Sequence, residues 1–397
     1  MKQVNLWSYF RDLNAVPEEI FVALRSIVGG STSPRGRKFI IGVPPRFEVG
    51  YTATATPWIA STTPLADARI ERIVGECAAL LDGCRRWVTF PMTGRFRAGG
   101  AFESEGLKIR PLTDLNTSTL TSLPANGLVE LAHQPSLNAV LVDVAYAGAN
   151  DQFVNANRGN RAIREAANLL SLASLPSLVR PVAGEDGWTL VWDSARSEIL
   201  NARLFRGFHH PEIGDHEHVP AVGTQARLPT VQHGAFAAGP MNLQAGELYV
   251  AESLPGLLAN YAALPIPVRR QADRALTWFS AALRAPGPGA AIVFCATAIE
   301  ALLPKEKSSV CGACGQPSWK ISKRVSAFLD THASNEMRKQ FRDAVYHVRS
   351  GLTHGERLYE VDEQLFGLNE RSYLDVLTAR ATTRAALLNW LLAQGKT

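Results

Sequence analysis

Cysteine is scarce in this sequence. Cys77, Cys84, Cys295, Cys311 and Cys314 are spread over 397 residues, an odd and sparse set that does not read as a disulfide framework. Long apolar runs are missing too. The opening stretch MKQVNLWSYFRDL has no continuous apolar core of the kind a secretory leader needs. The most apolar helical segment, Ala290 to Leu303, is too short for a bilayer span of about 20 residues and contains Glu300. These absences lead us to expect a soluble protein of a reducing cytoplasm, with no membrane partner. Charged residues are also few, at 19%, against 46% apolar residues. That balance supports sizeable cores and argues against wholesale disorder. The net charge of +5 and a pI near 9.0 admit an acidic partner such as RNA without demanding one. No internal repeat and no long low-complexity segment interrupts the chain.

What is present falls into two textures, and the length is comfortable for two domains. In residues 1–245, KFIIGV (Lys38 to Val43), RWVTF (Arg86 to Phe90), LNAVLVDVAYA (Leu137 to Ala147) and WTLVWD (Trp188 to Asp193) have strand-like apolar content. PLADARIERIVGECAALLDGC (Pro64 to Cys84) has helical spacing, with Pro64 suited to a first turn, and Asn155 to Ser174 reads as helix. This half is a mixed α/β-type domain. Residues 246–397 read as helix after helix, with breakers such as PGPG between them and no strand signal. We expect an α+β protein overall, with an antiparallel helical bundle as its second domain.

The bundle carries VYHVRSGLTHGE, Val345 to Glu356. Phe341, Val345, Val348 and Leu352 recur at helical spacing and form one apolar stripe, with Arg349 at its edge. His354 would lie about 140° from Arg349 on a straight helix. Gly351 weakens the helix between them and Gly355 suits a C-cap, so His354 is expected at a loosened helix end, turned back toward Arg349. In AAIVFCATAIEALL, Glu300 is the only charge on a helix expected to be buried all round. A buried carboxylate needs a cation, and Arg349, Arg324 and a protonated His354 are the candidates. A structural ion pair that fixes helix register explains the same residues without any catalysis.

The order of these pieces resembles the HEPN superfamily and, within it, the Apea-like HEPN domains. AIEALL (Ala298 to Leu303), KISKRVSAFL (Lys320 to Leu329) and YHVRSGLTHGE (Tyr346 to Glu356) carry the resemblance, which covers about residues 265–395. It implies an all-α HEPN-like bundle and a metal-independent endoribonuclease. Arg349 and His354 would be catalytic, assisted by Ser350 and supported by Glu300 and Arg324. RNA supplies its own nucleophile, the 2′-hydroxyl. A histidine can move protons near neutral pH, and an arginine presents a planar fork of donors to the phosphoryl transition state. Arg338, Arg342 and Arg357 flank the motif and would guide RNA to it. The resemblance also implies a homodimer with two Arg/His pairs along one cleft. It points to antiphage defence or a toxin-like response, with the N-terminal domain as recognition or regulatory element. Some HEPN domains bind RNA or nucleotides, or dimerise, without cleaving, and that adaptor role is the alternative.

Two other constellations stand apart from the motif. VCGACGQPSW places Cys311 and Cys314 in a knuckle that presents two thiolates to a structural zinc, with His332 or a dimer mate completing the four ligands, or else leaves a free reduced pair. FHHPEIGDHEH gathers His209, His210, His216 and His218 with Glu212, Asp215 and Glu217, in no established ligand spacing. It reads as a solvated loop or as the centre of a metal-dependent hydrolase. Three arginine-containing segments, STSPRGRKF, RRW and GRFRAGG, are surface candidates for RNA contact.

Overall fold

The computed structural model describes residues 4–395 except 14, 30–32, 36–37, 43–45, 53–56, 95, 97–99, 112–127, 131–137, 181–187, 194–197, 205–212, 219–226, 239–246, 305–308, 311–316, 319–320, 342–344, 346–348, 350–351 and 353–369. Helices and sheets are both present, so the protein is α+β. Its two compact units are interleaved along the chain. The first comprises Met1–Thr89, Val144–Ile163 and Gly214–Pro220, and the second Phe90–Asp143, Arg164–Ile213 and Ala221–Thr397. The strands Arg85–Gly94 and Asn138–Ala147 and the helix Gln152–Ala173 each contribute residues to both units. Residue 245, where the change of texture suggests a boundary, lies outside the described residues and within the second unit.

The first unit holds a five-stranded antiparallel sheet. Its strand order is Val4–Asn5, Pro57–Ser61, Phe47–Tyr51, Lys38–Ile41, Ser33–Arg35. Alternation places Phe47 and Val49 on the buried side, and these join Ile41 and Ile59 in one core. The helices Pro17–Val28 and Asp67–Leu81 pack together and complete it with Ile20, Leu24, Ile70, Ile73 and Cys77. Pro64 does not open the second of these helices. The chain enters at Ala66 in extended conformation, and Asp67 supplies the acidic residue of the first turn. Proline does start the earlier helix, at Pro17.

The second unit contains a group of helices that pack by small residues. Pro288–Glu300 lies against both Ile266–Leu283 and Glu370–Gln394. Ala282, Ala291, Ala296, Ala379 and Ala386 are all in the shared core, and short side chains let helix axes approach closely. Ile292, Ile299, Val325, Leu329, Phe341 and Val345 fill the space between. Pro288–Glu300 is not buried all round, because Val293, Phe294 and Thr297 are only partly covered. It also ends at Glu300 rather than continuing to Leu303. Short strands do enter the region read as purely helical. Tyr249–Ala251 pairs with Ser174–Leu175 and with Thr230–Val231, and Ser309–Val310 forms a hairpin with Pro317–Ser318. Among the described residues no helix is long and apolar enough to cross a membrane.

Candidate functional site

The helix Asn335–Phe341 begins at Ser334, whose hydroxyl accepts a hydrogen bond from the Met337 amide at 3.2 Å. Farther along, Val345, Arg349 and Leu352 are helical as well. Phe341 and Val345 are wholly buried, and Leu352 packs against the same core. That stripe fixes which way the helical segment faces and sets Arg349 at its margin. From there Nη2 of Arg349 donates to Oε2 of Glu300 at 2.9 Å. The two side chains are 25% and 17% exposed, so the pair is largely shielded.

Glu300 sits in the last turn of an apolar helix. Burial raises its carboxyl above the ordinary value, and the positive charge of Arg349 pulls it part of the way back. Oε1 of Glu300 is buried and accepts no hydrogen bond among the described residues. The carboxylate is thus held at one oxygen by the guanidinium, a contact that orients the arginine plane.

The other expected site residues fall as follows. Arg324 is half-buried on Ile321–His332. Arg338 forms an exposed ion pair with Asp330. Ser350, His354, Arg342 and Arg357 lie outside the described residues, as do Cys311 and Cys314. The hairpin of Ser309–Val310 with Pro317–Ser318 closes the ends of the segment that carries both cysteines. His332 packs against Phe328 with tilted rings at a centroid distance of 4.7 Å, and burial lowers its pKa, which favours the neutral ring. Among the described residues no three His, Cys, Asp or Glu side chains converge as metal ligands.

Part of the histidine-rich stretch, from Ile213 to His218, is described. Gly214–His216 is a strand paired antiparallel with Trp87–Thr89. Arg86 binds Asp215 through Nε and Nη2 and Glu217 through Nη1, at 2.8–3.0 Å. Tyr146 and Asn155 also donate to Asp215, at 2.6 and 2.9 Å. Burial would raise the Asp215 carboxyl, but the donors from Arg86, Tyr146 and Asn155 together hold it below its ordinary value. These two carboxylates are therefore occupied by an arginine. His216 and His218 are on or beside the strand, while His209, His210 and Glu212 lie outside the described residues. Of the arginine-containing segments, RRW opens the strand Arg85–Gly94, with Arg85 exposed and Trp87 buried.

Among the ion pairs that escaped the sequence reading, two are largely buried. In the second unit Arg110 meets Asp143 through Nε at 2.9 Å and Nη2 at 3.3 Å, with side-chain exposures of 4% and 0%. In the first, Glu19 binds both Arg158 and Arg161. Asp143 had a readable signal: like Glu300, it is the lone charge in an apolar run, NAVLVDVAYA.

The chain matches no protein-family model, no curated protein and no solved structure.

Proposed function

We propose that the protein is a metal-independent endoribonuclease of HEPN type, with Arg349 and His354 as its catalytic pair and Ser350 assisting. The observation that supports it most directly is the anchoring of Arg349 by Glu300 across helices of the second unit. An arginine that must stabilise a phosphoryl transition state gains from being fixed in plane beforehand, since little reorganisation is left for the reaction. A carboxylate raised by burial and facing one guanidinium is a supporting group for that task. His354 would take the proton from the 2′-hydroxyl and return one to the leaving 5′-oxygen, so the cleaved RNA carries a 2′,3′-cyclic phosphate.

On the same reading the protein is a cytoplasmic homodimer that acts on RNA in antiphage defence or a toxin-like response. Arg324 supports the catalytic pair, and Arg338, Arg342 and Arg357 steer the strand. Cys311 and Cys314 would hold a structural zinc, and the N-terminal domain, residues 1–245, would recognise the trigger or regulate the nuclease.

The test is incubation of the full-length protein with bulk RNA in EDTA. Cleavage by wild type and its loss in Arg349→Ala and His354→Ala supports the reading. Tight RNA binding without cleavage would shift the assignment to an RNA-binding adaptor. Activity abolished by chelator and indifferent to His354→Ala would instead favour the metal-dependent hydrolase.

A further inference from the structure

Trp278 is a large apolar side chain that the second unit leaves in the open, at 38% exposure. Its helix, Ile266–Leu283, is packed without it, because Ala275, Leu276, Phe279 and Ala282 supply the buried side. A single exposed tryptophan calls for no explanation. This one is paired. Its ring lies 5.3 Å from that of Phe294, centroid to centroid, with the planes tilted by 39°. Phe294 belongs to the next helix, Pro288–Glu300, and is itself only partly covered. Two rings on neighbouring helices thus make one aromatic spot at the surface.

That spot borders the open face of the helix that carries Glu300. From Ala291 to Glu300, the residues that are not fully buried are Val293, Phe294, Thr297 and Glu300. At about 100° per residue they fall within about 120° around the axis. Phe294 and Glu300 therefore mark opposite edges of one face, about 9 Å apart along the helix. Glu300 is the residue that anchors Arg349. The rings and the candidate catalytic arginine thus meet the same face of Pro288–Glu300.

The residues around the rings suit a polyanion. Arg270, Arg274 and Trp278 recur every four residues, which sets both guanidiniums on the tryptophan's side of its helix. Arg274 is exposed, one turn from the ring, and the other exposed neighbour, Thr277, is polar. Two partly covered rings in such a frame fall well short of a stable protein interface, which buries about 800 Å² on each partner around an apolar centre. Rings beside arginines match a nucleic acid single strand: an unpaired base stacks on the ring, and the guanidinium meets the backbone phosphate. A duplex keeps its base faces stacked and gains nothing there.

We propose that Trp278 and Phe294, with Arg274, form a stacking platform for an unpaired base of RNA, beside the Arg349 site. The proposal rests on the reading of RNA as substrate, and a probe that cannot be cleaved tests the two apart. An unstructured oligoribonucleotide with 2′-O-methyl groups has no nucleophile, so its binding reports on the platform whether or not cleavage occurs. Fluorescence anisotropy of this probe with the full-length protein is the measurement. Trp278→Ala should raise Kd about tenfold, and Trp278→Phe, which keeps a ring, should stay near wild type. Arg274→Gln should reduce the slope of log affinity against log salt by about 0.7. An abasic probe of the same length should bind wild type and Trp278→Ala alike. Wild type alone should prefer the base-containing probe by at least about tenfold, a comparison that needs no variant to fold. Equal affinity of wild type for the two probes overturns the proposal. So does a loss in Trp278→Ala that is as large for the abasic probe, since the ring is then structural. If Trp278→Ala cleaves ordinary RNA with unchanged kcat and KM, the nuclease reading stands and the platform falls. If sedimentation shows that Trp278→Ala alters only the oligomeric state, the patch is a protein contact and the proposal is overturned.

Discussion

Glu300 and Arg349 are 49 residues apart in the chain and meet through one charge-assisted hydrogen bond of 2.9 Å. The carboxyl is raised by burial, so it binds its proton more tightly folded than unfolded. Its contribution to stability is therefore full below the unfolded value near 4.5 and is lost as pH rises through the folded value. Wild type should lose stability relative to Glu300→Gln across that interval. Urea unfolding of both proteins from pH 4 to 7 measures it, and a constant difference would sink the assignment.

Arg349→Lys separates charge from geometry. Lysine keeps the positive charge but lacks the planar fork. If Arg349 stabilises the phosphoryl transition state, cleavage should fall about 100-fold in kcat with KM little changed. A proportionate rise in KM alone would mark Arg349 as an RNA-binding residue. Full activity would remove it from the chemistry.

The pair of Arg110 and Asp143 calls for a double-mutant cycle. Truncating either partner removes this pairing from a site that is almost closed to water. Arg110→Met or Asp143→Leu alone should cost about 3–5 kcal/mol, whereas the two together should cost far less. Equilibrium denaturation of the four proteins reads the coupling directly.

Asp215 gives the opposite acid response to Glu300. Its folded pKa is held down, so its stabilisation is present above the unfolded value and disappears as pH falls through the folded one. Asp215→Asn should cost about 1 kcal/mol at pH 7, a modest amount because the carboxylate is partly exposed, and less at pH 2. Thermal unfolding at both values checks the sign.

Thiol reactivity offers a test of packing that is independent of function. Burial pushes the thiols of Cys77 and Cys295 up to about 12, while Cys84 is exposed. Iodoacetamide at pH 8 should label Cys84 in the native protein and reach Cys77 and Cys295 only on unfolding. Peptide mass spectrometry resolves the three sites.

Much of this architecture is legible in the sequence, and for local reasons. The apolar runs KFII, RWVTF, NAVLVDVAYA and WTLVWD all lie in strands, because β-branched and aromatic density is a short-range property. The contact of Glu300 with Arg349 is readable because one charge on an apolar helix must find a partner. Tyr249–Ala251 is not, since three residues carry no periodicity and become a strand only through partners 74–76 and 20 residues away. The arginines of the last helix are equally silent. ARATTRAALL looks like a solvated face by composition, and only packing shows that Arg384 points inward.

The interleaving of the units carries a consequence for the nascent chain. The first unit needs nothing beyond Pro220, so it can assemble while synthesis continues. The second begins at Phe90, yet its core requires Val376, Ala379 and Ala386 from the last helix. The apolar residues Val140 to Val142, wholly buried in the finished protein, leave the ribosome more than 200 residues before that helix. For that interval they depend on a chaperone or on provisional contacts. Closure of the second unit's core waits on the helix Glu370–Gln394.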